Sequence, residues 1–163
     1  MNKQEIINSL HESFEGKPWY GNSLSTYLQE VHADMLNFSI GDGHSIGQII
    51  EHIIYWRELV TNRLKNHTEI IIGDDSGSEW PCKTYPAEMQ NTFFAQIRAT
   101  QKELILNIER SDETLLYKTV PGKDYTFAYL IKGVIDHDIY HLGQLYYLIS
   151  AAKKANENSG KDD

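Results

Sequence analysis

Cysteine is almost missing: Cys82 stands alone in 163 residues, so no internal disulfide can form. Long apolar runs are missing too, none approaching the ~18 residues of a membrane span, and the amino terminus MNKQEIINSLHESFEG lacks the basic start and continuous apolar stretch of a secretion signal. The expectation is a soluble, cytoplasmic protein without a membrane partner. Positive charge is scarce, with 15 Lys and Arg against 23 Asp and Glu and a net charge of −8. Such a surface should repel phosphate backbones, so nucleic acid is not an expected partner. Sustained two-residue alternation is absent, which argues against β-strands.

What is present is helical periodicity in a chain 40% hydrophobic, enough for one compact domain over residues 1–153 with a polar tail over 154–163. Residues 2–14 carry Ile6, Ile7, Leu10 and Phe14 on one stripe that stops at Gly16 and Pro18. After an aromatic loop, Ser23 caps a stripe of Leu24, Tyr27, Leu28, Val31, Met35 and Phe38, predicting a first long bundle helix that ends near Gly41 to Gly43. Ser45 and Gln48 form a capping-box pattern ahead of a second helix over about 46–65. Pro86 suits the first turn of a third helix to about Arg110, and Thr126 caps a fourth from Phe127 to about Lys153. The turn-rich segment GDDSGSEWPCKTYP makes the second connection long. The expected class is all-α, an antiparallel helical bundle in simple up-down order or with a crossover.

One stretch carries chemistry. In HDIYHLGQL, His137 and His141 lie ~40° apart on the fourth helix at about 100° per residue, on the face of Leu130, Val134, Leu145 and Leu148. Imidazoles facing a core need partners, and one divalent ion satisfies both. The i, i+4 pair is a zinc-ligand spacing, and a third ligand must come from another element. His52, at the edge of the second helix's apolar stripe beside Ile49 and Trp56, is the leading candidate, with a hydrogen-bonded, partly buried histidine as its ordinary alternative. His11 and His32 have no second histidine near in sequence, and His44 and His67 fall at helix ends where solvation is expected.

Around these stand residues with two readings each. Gln144 can hydrogen-bond a ligand or link helices. Trp19, Tyr20, Trp80 and Tyr85 can wall a pocket above the histidines or pack over the core. Cys82 beside Lys83 is a thiol without an assured histidine partner and reads as incidental. Asp138 sits where the HExxH metalloprotease helix has its glutamate, one methylene shorter and without the downstream ligand, so a protease is disfavoured. Asp138 and Glu51 read as supporting or solvated groups, and no residue is assigned as general base. The fourth helix has a second apolar face, Ile131, Ile135, Ile139, Leu142, Tyr146 and Ile149, which the bundle or a homodimer must cover.

EGKPWYGNSL, then HSIGQIIEHIIYW, then HDIYHLGQL resemble the DinB-like (YfiT-type) superfamily over residues of about 10 to 150. The resemblance implies a four-helix bundle with a crossover order of helices and a divalent metal held by His52, His137 and His141. It supplies no substrate, although known members include transferases and isomerases using bacillithiol- or mycothiol-type thiols; all-nitrogen ligation suits zinc, nickel, manganese or iron, and a small-molecule substrate is expected. Three imidazoles leave a position open, which lowers the pKa of a bound water or holds a thiolate. The expected function is a metal-dependent thiol transferase or small-molecule hydrolase. A non-catalytic bundle that binds metal or ligand is the competing reading.

Overall fold

The structure, a computed structural model, describes residues 2–69, 80 and 83–159. Cys82 and residues 160–163 of the expected tail lie outside them. Five α-helices follow in order: α1 (Lys3–Glu15), α2 (Leu24–Gln29), α3 (Ile46–Lys65), α4 (Met89–Arg110) and α5 (Phe127–Ser159), with short 3-10 turns at Ala33–Met35 and Glu113–Tyr117. No strand forms among the described residues; Thr119 and Thr126 make an isolated bridge. The class is all-helical, and none of the described helices is long and apolar enough to cross a membrane.

Helix starts are set by local chemistry. Asn2 and Glu5 close a capping box on α1, and Ser45 and Gln48 close the expected one on α3, with the Gln48 amide donating to Ser45 Oγ at 3.3 Å and the Ser45 amide to Gln48 Oε1 at 2.8 Å. Thr126 Oγ1 accepts the Tyr129 amide at 3.3 Å, as an N-cap of α5 should.

The segment from Ser23 differs from expectation. A helix forms only over Leu24–Gln29, followed by a turn and the 3-10 segment, although Leu24, Leu28, Val31, Met35 and Leu36 are all buried. Tertiary bonds take backbone groups a continuous helix would use: Gln90 Nε2 donates to the Val31 carbonyl at 2.7 Å, and the Gly47 and Ile46 amides donate to the Leu36 and Phe38 carbonyls at 2.8 and 3.1 Å; the Asn37 side chain in turn exchanges bonds of 2.8 Å with both backbone groups of Tyr85. At the other end α5 continues past Lys153 to Ser159, because Lys153 Nζ reaches Glu30 at 2.7 Å and Asn156 Nδ2 reaches Asp34 at 2.9 Å, fastening its last turns to the α2 region.

Long-range bonds give the helix directions. Lys3 Nζ donates to the Glu109 and Ser111 carbonyls while Gln101 Nε2 donates to the Leu10 carbonyl, so α1 and α4 run opposite ways. Arg57 meets Asp138 and Arg63 meets Tyr125, so α3 and α5 are also opposed. Ile49 to Ile54 share a cluster with Phe93 and Ile97, whereas Val60 and Leu64 share another with Leu104 and Ile108, so α3 and α4 run the same way. The start of α4 therefore lies beside the start of α3, whose 20 residues span ~30 Å, and not beside its end.

Gly47 permits the return to close. A β-carbon there would lie 2.5 Å from Tyr85 Cδ2 and 3.0 Å from the Leu36 carbonyl oxygen, so only glycine lets Tyr85 lie on the first turn of α3.

The core has two apolar clusters. One joins Phe14, α2, the start of α3 and α4, and the far part of α5; the other joins Ile6 to Leu10 with the ends of α3 and α4 and the start of α5. Between them, on α3, α4 and α5, falls a layer of buried polar residues: His52, Arg57, Thr100, Gln101, Asp138 and His141. On the second face of α5, Ile131, Ile135, Leu142 and Ile149 are buried within the chain, Ile139 is half-buried, and Tyr146 packs on Tyr27 while staying exposed.

Candidate metal centre

The polar layer is where the histidines meet. His52 projects from the middle of α3 and His137 and His141 from α5, the antiparallel neighbour. His137 Nε2 lies 3.0 Å from His52 Nε2 and 3.0 Å from His141 Nε2. One ligand atom from each ring falls within 4.8 Å of the other two. His52 and His141 are buried and His137 is half-buried.

Donor chemistry tests whether an ion fits. His141 Nδ1 faces Gln144 Oε1 at 2.7 Å, and since an amide oxygen only accepts, that nitrogen carries the proton and Nε2 the lone pair. A single proton on His137 Nε2 can serve only one of its two neighbours, whereas a cation among the three nitrogens serves all of them. Tetrahedral Zn–N bonds of about 2.0–2.1 Å separate nitrogens by about 3.3 Å, so the rings need open by only a few tenths. The rings are also kept neutral, as ligands must be. Burial, then the His141, His52 and Arg57 charges, push His137 down to about 3. Burial likewise lowers His141, against the hydrogen bond it donates to Gln144.

A second buried group adjoins this one. Arg57, fully buried, holds Asp138 Oδ2 from Nε at 2.9 Å and Gln101 Oε1 from Nη1 at 2.8 Å, and its guanidinium covers the Phe14 ring at 5.1 Å. Gln101 passes the connection to the Leu10 carbonyl at 2.9 Å. Burial pushes the Asp138 carboxyl above its ordinary value and Arg57 pulls it back. Because guanidinium does not deprotonate, the pair is ionic. Asp138 is thus tied to Arg57, turned away from the role a metalloprotease glutamate plays. Arg57 and Gln101 were not singled out in the sequence, although each interrupts an apolar stripe, Arg57 between Ile53 and Val60 and Gln101 between Ile97 and Leu104.

The four aromatic candidates separate. Trp80 stacks on His52 with ring centroids 3.8 Å apart, and His44 stacks on its other face at 3.6 Å, so one indole lies between two imidazoles. Tyr85 is core, packed on Phe93 and donating its hydroxyl to Glu51 at 2.6 Å, while Lys83 meets the same carboxylate at 2.7 Å. Trp19 is fully exposed, and Tyr20 lines a surface groove between α1 and α5. His11, His32, His44 and His67 are exposed.

A DinB superfamily model matches residues 21–145. The chain belongs to the DinB superfamily. The crystal structure of colibactin self-resistance protein ClbS in complex with a dsDNA is similar in fold at 18% identity, with a TM-score of 0.64 and coverage of 90% of this chain and 95% of that one. No curated protein matches the chain. The ClbS complex corrects the exclusion of nucleic acid drawn from the net charge of −8. A protein of this fold is held with duplex DNA, and contact with phosphate depends on local charge, which a chain total does not describe.

Proposed function

We propose that His52, His137 and His141 hold one divalent ion, zinc first and nickel, manganese or iron as alternatives, and that this DinB superfamily member is a metal-dependent enzyme. The reading favours a thiol transferase of the bacillithiol type or a small-molecule hydrolase. The four longer helices are taken as a four-helix bundle with a long crossover, and α2 as an accessory. The observation that carries the proposal is the convergence of three Nε2 atoms on one point inside a polar layer between two apolar clusters.

The ion supplies Lewis acidity, lowering the pKa of a coordinating thiol or water toward neutrality. The chain's own groups hold and aim it. Gln144 fixes the tautomer of His141, Trp80 covers the face of His52, and the Arg57–Asp138 pair sets the register of the two helices that bring the imidazoles together. The donor set leaves coordination positions unfilled by protein, which suits a reacting centre better than a closed structural one.

The test is metal analysis of untagged protein followed by zinc and nickel titration of the apo form. Stoichiometric binding that His52→Ala abolishes is expected; an apo protein that takes up none of zinc, nickel, manganese or iron removes the basis of the proposal. The competing reading, a non-catalytic metal- or ligand-binding bundle, is favoured if metal binds but no thiol or ester substrate turns over and His137→Ala chiefly lowers the melting temperature.

A further inference from the structure

α3 and α5 leave between them a cleft of about 220 Å³, whose walls include Trp56, Val60, Tyr125, Leu130, Val134 and His137. Because the two helices are antiparallel, His137 and Tyr125 stand at opposite ends. The walls are apolar and the ends are polar. At one end, Trp56 Nε1 and His137 Nδ1 are buried ring nitrogens without a hydrogen-bond partner among the described residues. At the other, the Tyr125 hydroxyl accepts a hydrogen bond from Arg63 Nη1 at 3.2 Å.

Arg63 is the unusual member. It is 4% exposed, its Nε is buried without a partner, and none of the ion pairs among the described residues includes it. Arg57, the other buried arginine of α3, has its charge met by Asp138 and one further bond to Gln101. A guanidinium cannot lose its charge, and a buried charge without a counterion is costly. The C-terminal carbonyls of α3 offset part of that cost, since Arg63 lies in the last turn, but they leave the Nε donor unused. Trp56, Val60 and Arg63 follow one another at spacings that keep them on one face of α3; Arg63 does not itself line the cleft but stands behind the Tyr125 hydroxyl that closes that end.

We propose that this cleft binds a small carboxylic acid whose apolar body is about the size of one aromatic ring. The carboxylate takes hydrogen bonds from Arg63 and from Tyr125, the body lies on Val60, Leu130 and Val134, and the leading end reaches Trp56 and His137. The cleft's 220 Å³ exceeds the ~150 Å³ at which an apolar cavity accepts benzene. The inference names a ligand class for a cleft beside the proposed metal centre and rests on that reading only in placing the ligand's far end at Nδ1 of His137, the ring edge turned away from the other two imidazoles.

The test uses 3-phenylpropanoate and its neutral amide as probes of the full chain, metal-free and zinc-loaded. It follows the Trp56 indole N–H resonance, assigned with Trp56→Phe. The acid is expected to shift that resonance saturably and to bind about tenfold more tightly than the amide. Arg63→Met should lose about that tenfold for the acid, leave the amide unchanged and not lower the melting temperature, because it removes an unpaired buried charge. Gly133→Leu, whose β-carbon enters open space at the cleft, should block both probes. If Arg63→Met fails to fold, Arg63→Gln and Tyr125→Phe carry the same comparison. Equal acid binding by wild type and the Arg63 variant, or no movement of the Trp56 signal at millimolar probe, overturns the proposal. Zinc titration of the wild type separates the two readings: if zinc does not bind but the acid does, the metal centre falls and the cleft stands, and the reverse result does the opposite.

Discussion

The guanidinium of Arg57 approaches a single carboxylate oxygen of Asp138 from two nitrogens, Nε at 2.9 Å and Nη2 at 2.7 Å, with both side chains out of solvent. Only the first contact has hydrogen-bond alignment, and Asp138 Oδ1 is left without a partner. Asp138 is the neighbour in sequence of His137, and Arg57 lies five residues after His52, so the pair joins the same two helices that supply the imidazoles.

Breaking this pair from one side leaves the other charge stranded. Arg57→Met or Asp138→Asn is expected to cost about 3–5 kcal/mol of stability in urea unfolding, and Arg57→Met combined with Asp138→Leu should cost less than either alone. A double variant as unstable as the sum of the singles would show that the two side chains act independently.

Acid should destabilise the metal-free protein in a defined window. An unfolded imidazole titrates near 6.5, whereas His137 in the fold is pushed down to about 3, first by burial and then by its neighbours' charge. Between those values the unfolded chain binds the extra proton, so stability is complete above 6.5 and drains as pH falls toward 3. Melting temperature measured against pH should show this slope, and His137→Gln should flatten it. Zinc release should follow the same direction, since protons compete for the same nitrogens.

Gln144 holds His141 by its Nδ1 proton at 2.7 Å. Gln144→Ala should weaken zinc binding by about 10- to 100-fold in chelator competition while leaving the helical circular dichroism unchanged. Unchanged affinity would assign Gln144 to packing alone.

Gly47→Ala carries a prediction in which sterics oppose propensity. Alanine is the better helix former, but its β-carbon would meet the Tyr85 ring at 2.5 Å and the Leu36 carbonyl at 3.0 Å. A loss of about 1–3 kcal/mol is expected from overpacking, read by thermal or urea unfolding, and Tyr85→Ala should remove the penalty that the alanine introduces.

Much of the fold could be read from residue pattern because α1, α3, α4 and α5 each repeat apolar residues at helical period and three of them begin at a side-chain cap. The Ser23 to Phe38 segment carries the same pattern yet folds as a short helix and turns, because Gln90 and Asn37 bond to other parts of the chain, and periodicity is blind to bonds made across 48 or 59 residues. His137 and His141 were legible from spacing, and His52 from its place on a stripe. Asp138 was legible as a residue and not as a partner. Its counter-charge lies 81 residues away, on a helix whose direction only the packed structure fixes.

The hydrogen-bond chain from Asp138 through Arg57 and Gln101 to the Leu10 carbonyl visits α5, α3, α4 and α1 at mid-length. No one of these rods can slip by a turn without stranding a charge or an amide. The four should therefore open as one foldon, with amides near the waist of the molecule exchanging with deuterium only when the whole chain comes apart.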